Sequence, residues 1–197
     1  MEVFATVDVR LTREECITMT GLPTRDIVEM CYAQKPWTTK TRENVADEII
    51  DSVGRMIADN AVPMEGAMEA LEFFRTRNIP LALASSSPMR LINAVLEKFK
   101  IREIFSVVHS AENEPFGKPH PAVFLTTAQE IHVEPVQCLV IEDSFNGLIA
   151  AKAARMKSIV LPIPAQWNEN RFDIADLKIR SLTELTEVVW RSLNLEK

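Results

Sequence analysis

Cys138-Leu139-Val140-Ile141 runs directly into Glu142-Asp143-Ser144, and Asn146-Gly147 follow. An apolar run this short and this continuous marks a strand buried on both faces, and the polar turn after it opens a helix. The same form recurs along the chain. Ile79 to Ala84, Phe105 to Val108 and Ser158 to Leu161 read as further strands. Leu91 to Phe99, Ala122 to Ile131 and about Gly147 to Met156 read as the helices between and after them. This order predicts an α/β fold with an open, parallel, Rossmann-like sheet and helices on both of its faces. A closing helix is expected from Ser181-Leu182-Thr183-Glu184, where the serine caps and the glutamate reaches back. Its Leu182, Leu185, Val188 and Val189 would pack on the sheet.

Residues 1 to 62 differ in kind. They carry helical periodicity without strand runs, with Thr12-Arg13-Glu14-Glu15 as a capping box and Gly21 as a stop. Helices are predicted over Thr24 to Tyr32 and Asn44 to Ala58, separated by a loop with Pro36 and Trp37. The division is placed near Asn60 to Pro63, giving a helical module over 1–62 and the α/β domain over 63–197.

Composition narrows the partners. Of 197 residues, 28 are acidic and 22 basic, a net charge of −6. No basic stripe offsets that balance, so nucleic acid is not expected. The uncharged stretch between Arg77 and Arg90 is too short to span a bilayer. No basic, apolar, then small-residue pattern opens the chain, so a cytoplasmic monomer with no membrane partner is expected. Cys16, Cys31 and Cys138 form no Cys-x-x-Cys pair, which argues against a disulfide framework or a zinc knuckle.

In open parallel sheets, ligands bind beyond the carboxyl ends of the strands. Three such ends carry chemistry here. Ser85-Ser86-Ser87-Pro88 offers hydroxyls and free amides before a helix, suited to phosphate, although Ser87 could simply cap that helix. Gly117-Lys118-Pro119-His120-Pro121 holds one lysine between stiffening prolines, where it could balance an anion or sit in solvent. His120 has no nearby histidine or cysteine and reads as a loop residue. Glu142-Asp143 places adjacent carboxylates at a buried strand end, which suits magnesium, whereas Asp143 or Ser144 could instead cap the next helix. Taken together, the three ends describe a magnesium-and-phosphate site.

With these motifs in this order, the chain resembles the haloacid dehalogenase superfamily, in the β-phosphoglucomutase-like branch that includes sugar-phosphate phosphatases. Leu83-Ala84-Ser85-Ser86-Ser87 resembles its second motif, Gly117-Lys118-Pro119-His120-Pro121 its third, and Ile141 to Gly147 its fourth. Tyr32 to Trp37 and Ala151 to Met156 resemble the hexitol and 2-deoxyglucose-6-phosphate phosphatases of that branch. The resemblance implies a magnesium-dependent phosphatase acting on a small phosphorylated sugar or sugar alcohol. In it, Ser85 and the Ser86 amide would bind phosphoryl oxygens, Lys118 would offset their charge, and Asp143 and Glu142 would hold the metal. Residues 1–62 would form most of a cap, with Arg25 and Trp37 as candidates to read the sugar. The family's first motif, Asp-x-Asp-Gly, does not occur, and Val7-Asp8-Val9-Arg10-Leu11 lacks its second aspartate and its glycine. The expectation is therefore that the chain begins inside the cap, without the first core strand and without the attacking aspartate, and so does not turn over as it stands. A mutase of the β-phosphoglucomutase kind and a non-catalytic remnant that binds phosphosugar or a partner are the alternatives. Haloacid dehalogenase chemistry itself has no need of the Glu142-Asp143 pair.

Overall fold

The computed structural model describes residues 2–193. The first third is helical: α1 (Glu2–Ala5), α2 (Arg13–Thr18), α3 (Thr24–Gln34) and α4 (Arg42–Asn60). These helices close around Phe4, Val28, Trp37 and Val45, all buried. The predicted capping box forms at α2, where Thr12 Oγ1 accepts from the Glu15 amide at 3.2 Å and Glu15 Oε2 accepts from the Thr12 amide at 2.7 Å. The remainder runs α5 (Ala67–Arg75), β1 (Ala82–Ser85), α6 (Met89–Phe99), β2 (Val107–Ser110), α7 (Ala122–Glu130), β3 (Leu139–Glu142), α8 (Phe145–Ala153), β4 (Lys157–Val160), β5 (Leu177–Lys178) and α9 (Glu187–Ser192). This is an α/β fold whose strand pairs are all parallel. None of its helices, among the described residues, is long and apolar enough to cross a membrane.

Side-chain alternation puts helices on both faces, as expected. Leu139 and Ile141 pack with Phe74 and Trp190 from α5 and α9. Val140, one residue out of phase, packs with Val123, Phe124 and Ala151 from α7 and α8. β1, β2 and β3 are offset toward the C-terminus of the apolar runs that announced them and β4 by one residue toward the N-terminus, because a ladder is defined by pairing and not by hydrophobicity. Pro80, which has no amide proton to give, stays outside β1. Helix α5 and the short β5 were not among the sequence expectations.

The sheet comes in two pieces. β1 pairs with β2 from Ala82↔Val107 to Ser85↔Ser110, and β3-β4-β5 forms a separate ladder with Leu139↔Lys157 and Ile159↔Leu177 in register. Between them lies an apolar groove of about 460 Å³, walled by β1, β3, α5 and α7. The Leu81 carbonyl accepts from Ser106, and those of Cys138 and Glu142 accept from Lys157 and Leu161. By alternation, the backbone groups of Ala82, Ala84, Leu139 and Ile141 point into the groove.

The end of the chain departs from expectation. The Ser181 capping box closes only a 3₁₀ turn over Leu182–Glu184, and α9 starts afresh at Glu187 under a Thr186 cap. That break resets the helical phase. Leu182, Leu185 and Val189 pack on the sheet as expected, but Val188 is 78% exposed and Trp190 goes inward.

β4 and β5 are tied by Asp176, whose carboxylate receives Lys152 at 2.8 Å, Lys157 at 3.1 Å and both the amide (2.9 Å) and hydroxyl (3.1 Å) of Ser158. Burial alone would raise its pKa, but these donors hold it far below the ordinary 3.8. A depressed folded-state pKa contributes stability that is present above the unfolded value and is lost as pH falls through the folded one. Asp176→Asn is therefore expected to cost about 1 kcal/mol at pH 7, since Lys152 and Lys157 remain solvated. In urea unfolding, the gap between variant and wild type should close in strong acid.

Candidate functional site

A cavity of about 480 Å³ opens at the carboxyl ends of β1 and β3. Ser85, Ser86, Ser87, Lys118, Glu142, Asp143 and Ser144 line it, so all three sequence motifs converge there. From the segment between α2 and α3, Thr20, Gly21 and Leu22 line it as well.

The serine turn is built by its own side chains. Ser85 Oγ accepts from the Ser87 amide at 3.1 Å, and the Ser87 carbonyl accepts from Ser110 Oγ at 2.7 Å. Ser87 does not cap α6; Pro88 occupies that position, and no side chain caps the helix. Ser86 Oγ is buried and has no hydrogen-bond partner.

Lys118 is only 5% exposed, so the solvated-lysine alternative does not hold. Its ammonium forms an ion pair with Glu142 Oε1, lies 3.5 Å from the Ala84 carbonyl at the end of β1, and sits over the Phe124 ring at 4.6 Å. Glu142 Oε2 accepts from Ser144 Oγ at 3.1 Å. The Glu142 carboxylate rests directly on Gly147, where any side chain would occupy the same space. Ser144 caps α8, accepting the Gly147 amide at 3.0 Å, so the capping alternative for this residue is realised within the site.

Asp143 faces the cavity and is open to it. The surrounding protein nonetheless raises its pKa above the ordinary 3.8, chiefly by desolvation; the Glu142 charge adds to this and Lys118 opposes it. Two carboxylates facing one ammonium leave one negative charge uncompensated. Glu142 and Asp143 are thus the pair that could hold a cation, and a hard divalent ion with oxygen ligands fits that donor set. Among the described residues, no group of three or more histidine, cysteine or acidic side chains gathers for a metal.

The N-terminal helices lock onto this rim at close quarters. Asn146 Nδ2 donates to the Thr20 carbonyl at 3.1 Å. Gly21 has φ +86°, and a Cβ there would lie 2.5 Å from Ser144 Oγ, so the position demands glycine on both counts. The contribution of Thr20 and Leu22 was not anticipated; the only signal was Gly21, read as a helix stop. Arg25 and Trp37 lie elsewhere. Arg25 is exposed on α3 and does not line the cavity. Trp37 is 6% exposed and packs edge-on to Tyr32 (4.9 Å) and Phe4 (6.4 Å) within the helical core. His120 is a loop residue as predicted, its Nδ1 accepting from the Ala122 amide at 3.2 Å.

An α/β protein whose cavity brings a buried lysine onto an acidic pair at a strand end is thus defined by its own geometry. A family model described as haloacid dehalogenase-like hydrolase matches residues 24–155, and the chain belongs to that family of hydrolases. It is 38% identical to hexitol phosphatase B of Escherichia coli K12 over 187 residues, covering 94% of this chain and 84% of the relative. Among solved structures it is similar to CbbY from Rhodobacter sphaeroides in complex with phosphate, with a TM-score of 0.87, 24% identity and coverage of 98% of this chain and 88% of that one. A β-phosphoglucomutase from Clostridium difficile matches with a TM-score of 0.83, 21% identity and coverage of 98% and 86%. The α/β fold and the resemblance drawn from the motifs both stand.

Two substitutions test this geometry. Gly147→Ala must displace the Glu142 carboxylate and should destabilise the fold by about 2 kcal/mol in urea titrations. Asp143→Asn removes a carboxyl whose folded-state pKa is raised. Such a group contributes most below the ordinary carboxylate range, and that contribution is lost as pH rises through the raised value. At pH 7 and without added metal, Asp143→Asn should therefore melt at a higher temperature than the wild type, an advantage that shrinks below pH 4.

Proposed function

We propose that this chain is the phosphate- and magnesium-binding body of a sugar-phosphate phosphatase, with residues 1–62 acting as the cap and 63–197 as the core. The observation that carries the reading is Lys118: a buried ammonium held between the Ala84 carbonyl and Glu142, beside the serine turn. Burying a cation is costly unless an anion balances it, and here a phosphoryl group and Glu142 would share that role.

In the chemistry of this family, a carboxylate oxygen attacks phosphorus, the sugar oxygen leaves with a proton, and water hydrolyses the acyl phosphate. The Asp-x-Asp-Gly motif that supplies the attacking carboxylate does not occur in residues 1–197. The roles assigned to this chain's own residues are therefore binding and charge balance. Ser85 and the Ser86 amide take phosphoryl oxygens, and Lys118 offsets their charge. Asp143 and Glu142 would hold magnesium, which when bound supplies positive charge against the same oxygens. Support for a phosphorylated sugar or sugar alcohol comes from the similarity to a protein named hexitol phosphatase B. Within the cap, Thr20 and Leu22 would meet the sugar in preference to Arg25 and Trp37, a reading supported by their lining the cavity.

Calorimetry with inorganic phosphate and with glucitol 6-phosphate, each with and without magnesium, tests the reading. Binding of both should require magnesium; no binding to either would overturn it. Lys118→Gln keeps donors for Glu142 and Ala84 while removing the charge, and should weaken phosphate binding by about tenfold or more in a folded protein. Asp143→Asn should abolish the magnesium requirement together with the binding.

A further inference from the structure

One buried charged cluster lies beside the cavity without lining it. His109, in β2, is 9% exposed. Its Nε2 is 2.7 Å from Glu114 Oε1 and its Nδ1 is 3.3 Å from Glu130 Oε1, so both ring nitrogens face carboxylates. Glu114 is buried at its side chain. Burial alone would push its carboxyl up, yet hydrogen bonds from Thr126 and His109, with the nearby His120 adding to them, hold it below the ordinary range. Glu114 is therefore held from β2 by His109, whose other ring nitrogen faces Glu130 of α7.

The placement of this cluster matters more than its chemistry. Residues 114–121 connect β2 to α7 without forming a helix or strand, and Lys118 sits in their middle. A segment of that kind holds no fixed position unless its ends are fastened. Downstream, α7 begins at Ala122. Upstream, the fastening is Glu114. The same strand end also holds the serine turn, because Ser110 Oγ donates to the Ser87 carbonyl and accepts from the Glu112 amide at 3.1 Å.

We propose that His109 is a positioning residue: by clamping Glu114 against α7, it fixes residues 114–121 and so keeps the Lys118 ammonium between Ala84 and Glu142. The clamp itself requires nothing of the ligand; its effect on phosphate rests on the proposed function above. The His109 side chain does not line the cavity, although its backbone is in register with Ala84, which does; the influence of the imidazole there passes through the segment.

Brief acetylation of the folded protein with sub-stoichiometric acetic anhydride, read by peptide mass spectrometry, tests the clamp. Lys157, which is partly exposed in the same molecule, is the internal reference. In the wild type, Lys118 should be strongly protected. In His109→Ala, its acetylation relative to Lys157 should rise about tenfold, the factor that loss of one charged hydrogen bond allows. His109→Gln, which can still donate to Glu114, should restore most of the protection. If His109→Ala does not fold, Glu114→Gln removes the anchoring charge at nearly constant size and should expose Lys118 in the same way. Unchanged Lys118 protection in folded variants, or a uniform rise at every lysine, would overturn the proposal. Titration with inorganic phosphate and magnesium separates the two readings. A wild type that binds no phosphate overturns the function and leaves the clamp to the labelling result. A wild type that binds it, with affinity unchanged in a variant whose Lys118 is exposed, overturns the link between them.

Discussion

The ion pair between Lys118 and Glu142 is the interaction on which the rest of the molecule turns. It is buried at both partners, and it joins the loop after β2 to the end of β3 while reaching the Ala84 carbonyl of β1. Buried pairs of this kind are weak contributors to net stability, because desolvation opposes the attraction. Their value is positional. Remove either partner and the other becomes an uncompensated buried charge, so no arrangement of the three strand ends avoids the pairing at low cost. Gly147 is part of the same constraint, since only a bare Cα leaves room for the Glu142 carboxylate.

What surrounds the pair follows from it. Glu142 is balanced by the ammonium, and Asp143, one residue further on, is left facing the cavity with its carboxyl raised. The serine turn forms another wall, held together by the Ser85 hydroxyl and, from β2, by that of Ser110. Charge, donors and open space are thereby assigned to different residues of one small volume. The N-terminal helices complete it by backbone contact at Thr20 and Gly21, not by the long side chains whose chemistry had made them attractive.

Much of this was legible from residue order. The apolar runs located four strands, and the polar residues after three of them located the cavity wall, because a buried parallel strand must be apolar and must release its chemistry at its end. Capping boxes at Thr12 and Ser181 were legible for the same local reason. What escaped was decided at a distance. Trp37 is a plausible sugar platform by type, yet it fills the helical core, since burial of an indole outweighs any local preference of its loop. Val188 fits a helical stripe, but the stripe is interrupted at Leu185 and its phase changes. His109, Glu114 and Thr126 come from a strand, a loop and a helix, and no spacing rule links them. Nor does an apolar pattern indicate that two ladders stand apart, because pairing is a property of neighbours and not of a run.

The divided sheet has a consequence for how the molecule comes apart. Ladders of backbone hydrogen bonds are the stiffest and most cooperative connections in an α/β domain, and here they end at the groove on both sides. Among the described residues, the two ladders are therefore joined by side chains: the helices that pack across them and one ammonium. Local opening would then begin between the ladders before it reached into either one. A ligand that engages the serine turn and Asp143 together would touch both ladders at once. Its binding energy would then appear less as affinity alone than as coupling between them.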